Sequence, residues 1–101
     1  MRSYRFLEEA DSEFQEYITY FDAQASGLGD KYVDYVGTAV STIRQFPEIG
    51  APVSRNLRKW VLRAFKHNLF YVNARDEIII VALAPHKRRP GYWRKRLRAL
   101  R

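Results

Sequence analysis

The chain is 101 residues long, with 18 Lys or Arg against 11 Asp or Glu, a net charge of +7 and a pI near 10.0. It has no cysteine, which excludes a disulfide framework and a thiolate zinc site. Its longest apolar run, Ile78 to Ala84, is seven residues, far below the roughly 18 needed to cross a bilayer.

The charge is unevenly distributed. Residues 1–50 hold four Lys or Arg against nine acids, whereas residues 51–101 hold fourteen against two. The length suits one domain, residues 1–101, able to bury roughly two thirds of its unfolded surface. Met1 to Leu7 is too short and too charged for a signal peptide, so the reading is a soluble, cytoplasmic protein with no membrane partner. The basic excess favours a nucleic acid, a nucleoprotein or an acidic peptide as partner, and charge alone does not separate these.

In chain order, Tyr4-Arg5-Phe6-Leu7 alternates ring and charge and predicts a short opening strand. Ala10, Phe14, Tyr17, Ile18, Phe21 and Ala25 then recur at helical spacing, with Glu8, Glu9, Asp11, Glu13 and Glu16 in the same segment. That pattern predicts an amphipathic helix whose early acids complement its amino-terminal dipole. After the break Ser26-Gly27-Leu28-Gly29, the residues Tyr32, Tyr35, Val36, Ala39, Val40, Ile43 and Phe46 predict a second helix, stopped by Pro47. Together they form an αα-hairpin, and Ala51 to Asn56 reads as a loop.

From Leu57 the period changes. Arg58 to Arg63, Asn68 to Val72 and Glu77 to Leu83 are rich in Val, Ile, Tyr, Phe and Trp, and predict a three-stranded antiparallel meander with its last turn at Asn73-Ala74-Arg75-Asp76. Pro85 ends the last strand, and Pro90 opens a final helical turn carrying Tyr92, Trp93 and Arg96. The expected fold is α+β, in the order β-αα-βββ. A short N-terminal strand and an αα-hairpin pack on one face of a small antiparallel sheet, with a basic C-terminal tail or short helix and the opposite sheet face partly open.

The tail is the densest signal. His86 to Arg101 carries eight Lys or Arg and no acid around the pair Tyr92-Trp93. Arg88 and Arg89 offer two-pronged donors to carboxylates or phosphates. Trp93 has two readings, packing back on the sheet or stacking on a partner. The two histidines, His67 and His86, make no metal signature without cysteine, so neither a metal nor a cofactor is expected.

This order of elements resembles the RelE/ParE superfamily, the toxins of type II toxin-antitoxin modules. Three strings carry the resemblance: Phe46-Pro47-Glu48-Ile49-Gly50, Leu62-Arg63-Ala64-Phe65 through Phe70-Tyr71-Val72, and Arg88-Arg89-Pro90-Gly91-Tyr92-Trp93-Arg94. It is closest to the ParE-like, or plasmid stabilisation, members. The resemblance implies a bacterial growth inhibitor neutralised by a cognate antitoxin in a hetero-oligomer, acting by poisoning DNA gyrase. The alternative it implies is a RelE-type enzyme that cleaves messenger RNA on the ribosome. Such a nuclease would draw on Lys59, Arg63, Arg88 and Tyr92; Val61 stands where some of those nucleases carry a second lysine on the strand.

A gyrase poison needs an anchoring surface rather than a proton-transfer set, and the expected target-binding residues are Lys87, Arg88, Arg89, Tyr92, Trp93, Arg94 and Arg96. Trp60, Leu62, Phe70 and Tyr71 are the expected antitoxin contacts, although half of such alternating residues must face the core. A basic nucleic-acid-binding module without toxicity is the second alternative; its mark would be affinity for bare nucleic acid that falls steeply with salt.

Overall fold

The computed structural model describes residues 1–100. Its elements are β1 (Ser3–Phe6), α1 (Glu8–Gln24), α2 (Leu28–Gln45), β2 (Ala51–Pro52), β3 (Leu57–Leu62), a 3-10 turn (Arg63–Phe65), β4 (His67–Asn73), β5 (Glu77–Pro85) and α3 (Arg94–Arg98). The α+β layout holds. The five strands lie in the order β1-β5-β4-β3-β2.

The helices form where the apolar spacing places them. The Asp22 carboxylate accepts the N–H groups of Gly27 and Gly29, both at 3.1 Å, and so satisfies donors at the start of α2. Gly29 also lets the helices close together: a Cβ there would lie 2.7 Å from the Ile18 carbonyl oxygen. α2 presents Tyr32, Val36, Ala39, Val40 and Ile43 as its buried stripe.

The meander is antiparallel, with Leu57 opposite Val72 and Asn68 opposite Ala84. Two features of the sheet differ from expectation. β1 pairs in parallel with β5, Ser3 opposite Glu77 through Phe6 opposite Ile80, so the sheet is mixed. Within the segment expected to be a loop, Ala51–Pro52 pairs with Lys59 and Arg58 as a two-residue edge strand, a position where proline costs no ladder bond. Between β4 and β5 the register shifts at Phe70/Tyr71, whose partners are Ala82 and Ile80, leaving Val81 as a bulge.

Every residue from Ile78 to Ala84 is buried because β5 is covered on both faces. Leu62, Leu69, Tyr71, Ile78, Ile80 and Leu83 pack under the helices. Leu57, Phe70, Val81 and Ala82 pack under Trp93, with Tyr92, Leu97 and Leu100 beside it. The face expected to stay partly open is therefore covered by the chain's own C-terminal segment. Among the described residues no helix is long and apolar enough to cross a membrane.

Candidate functional site

After Pro85 the chain turns away from the sheet and then returns. The His86 N–H donates to the Lys66 carbonyl at 2.9 Å, and the Arg88 N–H to the Pro85 carbonyl at 3.0 Å. Gly91, with φ of +90°, makes the reversal that an L side chain would strain. It returns Tyr92 and Trp93 to the sheet. The indole of Trp93 stacks on Phe70 with centroids 4.4 Å apart and is 7% exposed, so of its two readings the packing role is the one realised.

Tyr92 stands edge-on to Trp93, and two guanidinium groups approach its ring, Arg88 at 4.2 Å and Arg96 at 5.1 Å from the centroid. Its hydroxyl is buried with no hydrogen-bond partner. Burial above all, with the Glu13 charge adding to it, raises the Tyr92 pKa, so the phenol stays protonated at neutral pH.

Arg96 is held from both sides. Its Nη1 donates to Glu13 Oε1 at 2.8 Å and to the Val81 carbonyl at 3.0 Å, and its Nη2 donates to Glu13 Oε2 at 3.0 Å. Both side chains are only about 15% exposed, 15% for Arg96 and 14% for Glu13. The hydrogen bond to Glu13 is the leading reason the Arg96 pKa lies above its ordinary value, against the opposing effect of burial. Arg96 is thus an internal ion pair rather than a free cation for a target.

Lys87, Arg88, Arg89 and Arg94 are exposed. The ion pairs among the described residues are Arg5–Glu77, Arg58–Glu48 and Arg96–Glu13, so these four cations have no acid in reach. A cleft of about 220 Å³ opens beside them, lined by Lys59, Asn68, His86, Arg88, Tyr92 and Trp93 among others. The fold therefore brings Lys59, Arg88 and Tyr92 together. It does not bring Arg63, which leaves β3 for the 3-10 turn and lines a separate groove of about 930 Å³ with Tyr35, Trp60 and Phe65.

The expected antitoxin contacts separate in the same way. Leu62 and Tyr71 are fully buried under the helices, and Phe70 is 5% exposed beneath Trp93. Alternation along the strands turns each of them into a core layer, which removes all three from the surface. Trp60 alone stays half-buried at the edge of the larger groove.

His67 and Glu13 were not among the expected site residues. His67 is buried against Tyr17 and hydrogen-bonded through Nδ1 to the Tyr32 hydroxyl at 3.1 Å; burial, then the neighbouring His86, lowers its pKa to about 4. Glu13 carries a legible signal. Three positions after Ala10 and four before Tyr17, it puts a carboxylate on the apolar stripe of α1.

A family model described as ParE toxin of type II toxin-antitoxin system, parDE, matches residues 4–90. Among solved structures, a chain of a chromosomal ParDE toxin-antitoxin system from P. aeruginosa superposes with a TM-score of 0.72 at 16% identity, covering 84% of this chain and 96% of that one. The isolated E. coli RelE toxin superposes with a TM-score of 0.67 at 15% identity, covering 98% and 99%. At those identities the likeness is one of fold. A search of curated proteins returned no match.

Proposed function

This chain belongs to the ParE toxin family of type II toxin-antitoxin systems, and from that premise we propose that it arrests bacterial growth by poisoning DNA gyrase and is neutralised by a cognate antitoxin. The observation that carries the choice of target is the dispersal of the nuclease candidates. Cleavage of RNA by its own 2′-hydroxyl asks for a base, an acid and cations around one phosphate. Here Arg63 lines a different groove from Lys59, Arg88 and Tyr92, and the Tyr92 hydroxyl is buried. A gyrase poison makes no such demand, because the bond chemistry belongs to its target.

In this reading Lys87, Arg88, Arg89 and Arg94 form the contact surface. They are exposed, have no acid partner among the described residues, and are carried on a segment anchored by Trp93, which supplies the rigidity that long cationic side chains lack. Trp93 and Arg96 act from beneath, through packing and an ion pair. The antitoxin is proposed to cover the groove beside Trp60, Tyr35 and Phe65, where apolar side chains meet the cations Lys31, Arg63 and Lys66.

Ribosome-dependent cleavage of messenger RNA is the second reading, favoured by the shared cleft of Lys59, Arg88 and Tyr92. Inducing the chain in bacteria without an antitoxin separates the two. Gyrase cleavage complexes and a DNA damage response with intact transcripts support poisoning; codon-phased cuts in messenger RNA without gyrase complexes overturn it. Co-expression of the small acidic protein expected from the neighbouring reading frame should restore growth.

A further inference from the structure

β1 covers only part of the β5 edge. Its last paired residue, Phe6, lies opposite Ile80, and the Leu7 N–H still reaches the Ile80 carbonyl at 2.9 Å. Beyond that point the edge of β5 has no strand beside it, and the bulge at Val81 adds a backbone carbonyl outside the ladder to β4. Buried backbone groups left unpaired at such an edge cost free energy comparable to a lost hydrogen bond.

Glu13 and Arg96 close this gap together. Glu13 Oε1 accepts the Leu83 N–H at 3.1 Å, Arg96 Nη1 donates to the Val81 carbonyl at 3.0 Å, and the two side chains clasp each other through both carboxylate oxygens. The other acids of α1, Glu8, Glu9, Asp11, Glu16 and Asp22, are exposed; Glu13 alone is turned inward. The same guanidinium approaches the Tyr92 ring, which Arg88 also contacts.

We propose that Glu13 is a positioning residue for the cationic C-terminal face: by fastening Arg96 to the bare edge of β5, it fixes the Tyr92 ring and thereby sets the direction in which Arg88 and its neighbours meet the target. The inference rests on the target-binding role assigned to that face above. Glu13 touches no target itself; it acts through Arg96.

The test compares the full-length chain with Glu13→Gln and Arg96→Lys, using Val40→Ala in the buried stripe of α2 as a variant that loses stability elsewhere. Glu13→Gln keeps an oxygen for Leu83 but removes the charge, and Arg96→Lys keeps the charge but removes the two-pronged donor. Amide exchange followed by NMR should accelerate across Tyr92 to Arg98, α3 included, by about tenfold or more in both latch variants, with α1 and α2 unchanged. Val40→Ala should raise exchange throughout. Growth arrest at matched expression should fall by about tenfold in the latch variants and less in Val40→Ala. Unchanged exchange across Tyr92 to Arg98, or arrest no weaker than in Val40→Ala, overturns the proposal. If Glu13→Gln does not fold, Arg96→Lys decides by the same criteria. If the unaltered chain arrests no growth, the toxin reading falls, and exchange across Tyr92 to Arg98 still decides whether the latch exists.

Discussion

His67 makes the stability of this protein depend on pH in a way that can be worked out in advance. The ring is 4% exposed, lies 4.5 Å from the Tyr17 ring and 5.4 Å from that of Phe21, and is hydrogen-bonded to the Tyr32 hydroxyl. Its pKa falls from the ordinary 6.5 to about 4, a difference equivalent to about 3 kcal/mol. The folded pKa is the lower one, so the contribution is fully present above pH 6.5 and is lost as pH falls toward 4, because the unfolded chain takes up the proton first. About 2 kcal/mol of it should disappear between pH 7 and pH 5. Urea unfolding at half-unit steps through this range, for the unaltered chain and for His67→Phe, isolates the effect. The variant leaves the Tyr32 hydroxyl unpaired and loses stability at every pH, so the slope rather than the absolute value is compared. Parallel slopes for the two proteins would show that the native ring takes up its proton as freely as the unfolded one.

Three further outcomes follow from the same geometry. Arg88→Ala with Arg89→Ala removes two exposed cations with no acid partner among the described residues and the contact of Arg88 with the Tyr92 ring, so stability should fall by no more than about 1 kcal/mol while growth arrest is relieved; undiminished arrest by the folded double variant would refute the contact role. Trp93→Ala empties the layer over Phe70 and should cost about 3–5 kcal/mol, measured by denaturant unfolding, so loss of activity in that variant reports stability rather than a lost contact. Tyr71→Phe deletes a hydroxyl that accepts the Gly50 N–H at 2.9 Å and donates to the Pro47 carbonyl at 2.8 Å. It should cost about 1–3 kcal/mol, and an unchanged melting temperature would count against that bridge.

The site combines a rigid base with exposed charge. Aromatic stacking, the reversal at Gly91 and the Glu13–Arg96 clasp hold the backbone of the C-terminal segment, while Lys87, Arg88, Arg89 and Arg94 are exposed on it, Arg88 over the Tyr92 ring. Cations on such a base lose less entropy on binding than cations on a frayed terminus. The arrangement also explains why so basic a segment lies against the sheet. Its charges point outward or are neutralised by Glu13, and its apolar members, Trp93, Leu97 and Leu100, face Leu57, Phe70, Val81 and Ala82.

The local elements were legible because local sequence periods govern them. The three- and four-residue spacing of Ala10 to Phe21 and of Tyr32 to Ile43 specifies two amphipathic helices. The β-rich runs from Leu57 to Leu83, punctuated by Asn73 to Asp76, specify the meander. The acidic first half, the basic second half and the aromatic pair in the tail are likewise read directly from the sequence, whereas the resemblance to the family rests on the order of elements and on three local strings. Pairing and facing belong to the tertiary structure. No local period tells β1 to join β5 in parallel across two helices, or Ala51–Pro52 to pair with β3, because those hydrogen bonds depend on where distant segments come to rest. Arg96 and Arg88 are indistinguishable as letters in a basic run. One is clasped by a carboxylate eighty-three positions away and the other is exposed with no acid partner among the described residues, and only the packing of α1 beside the uncovered edge of β5 makes the difference.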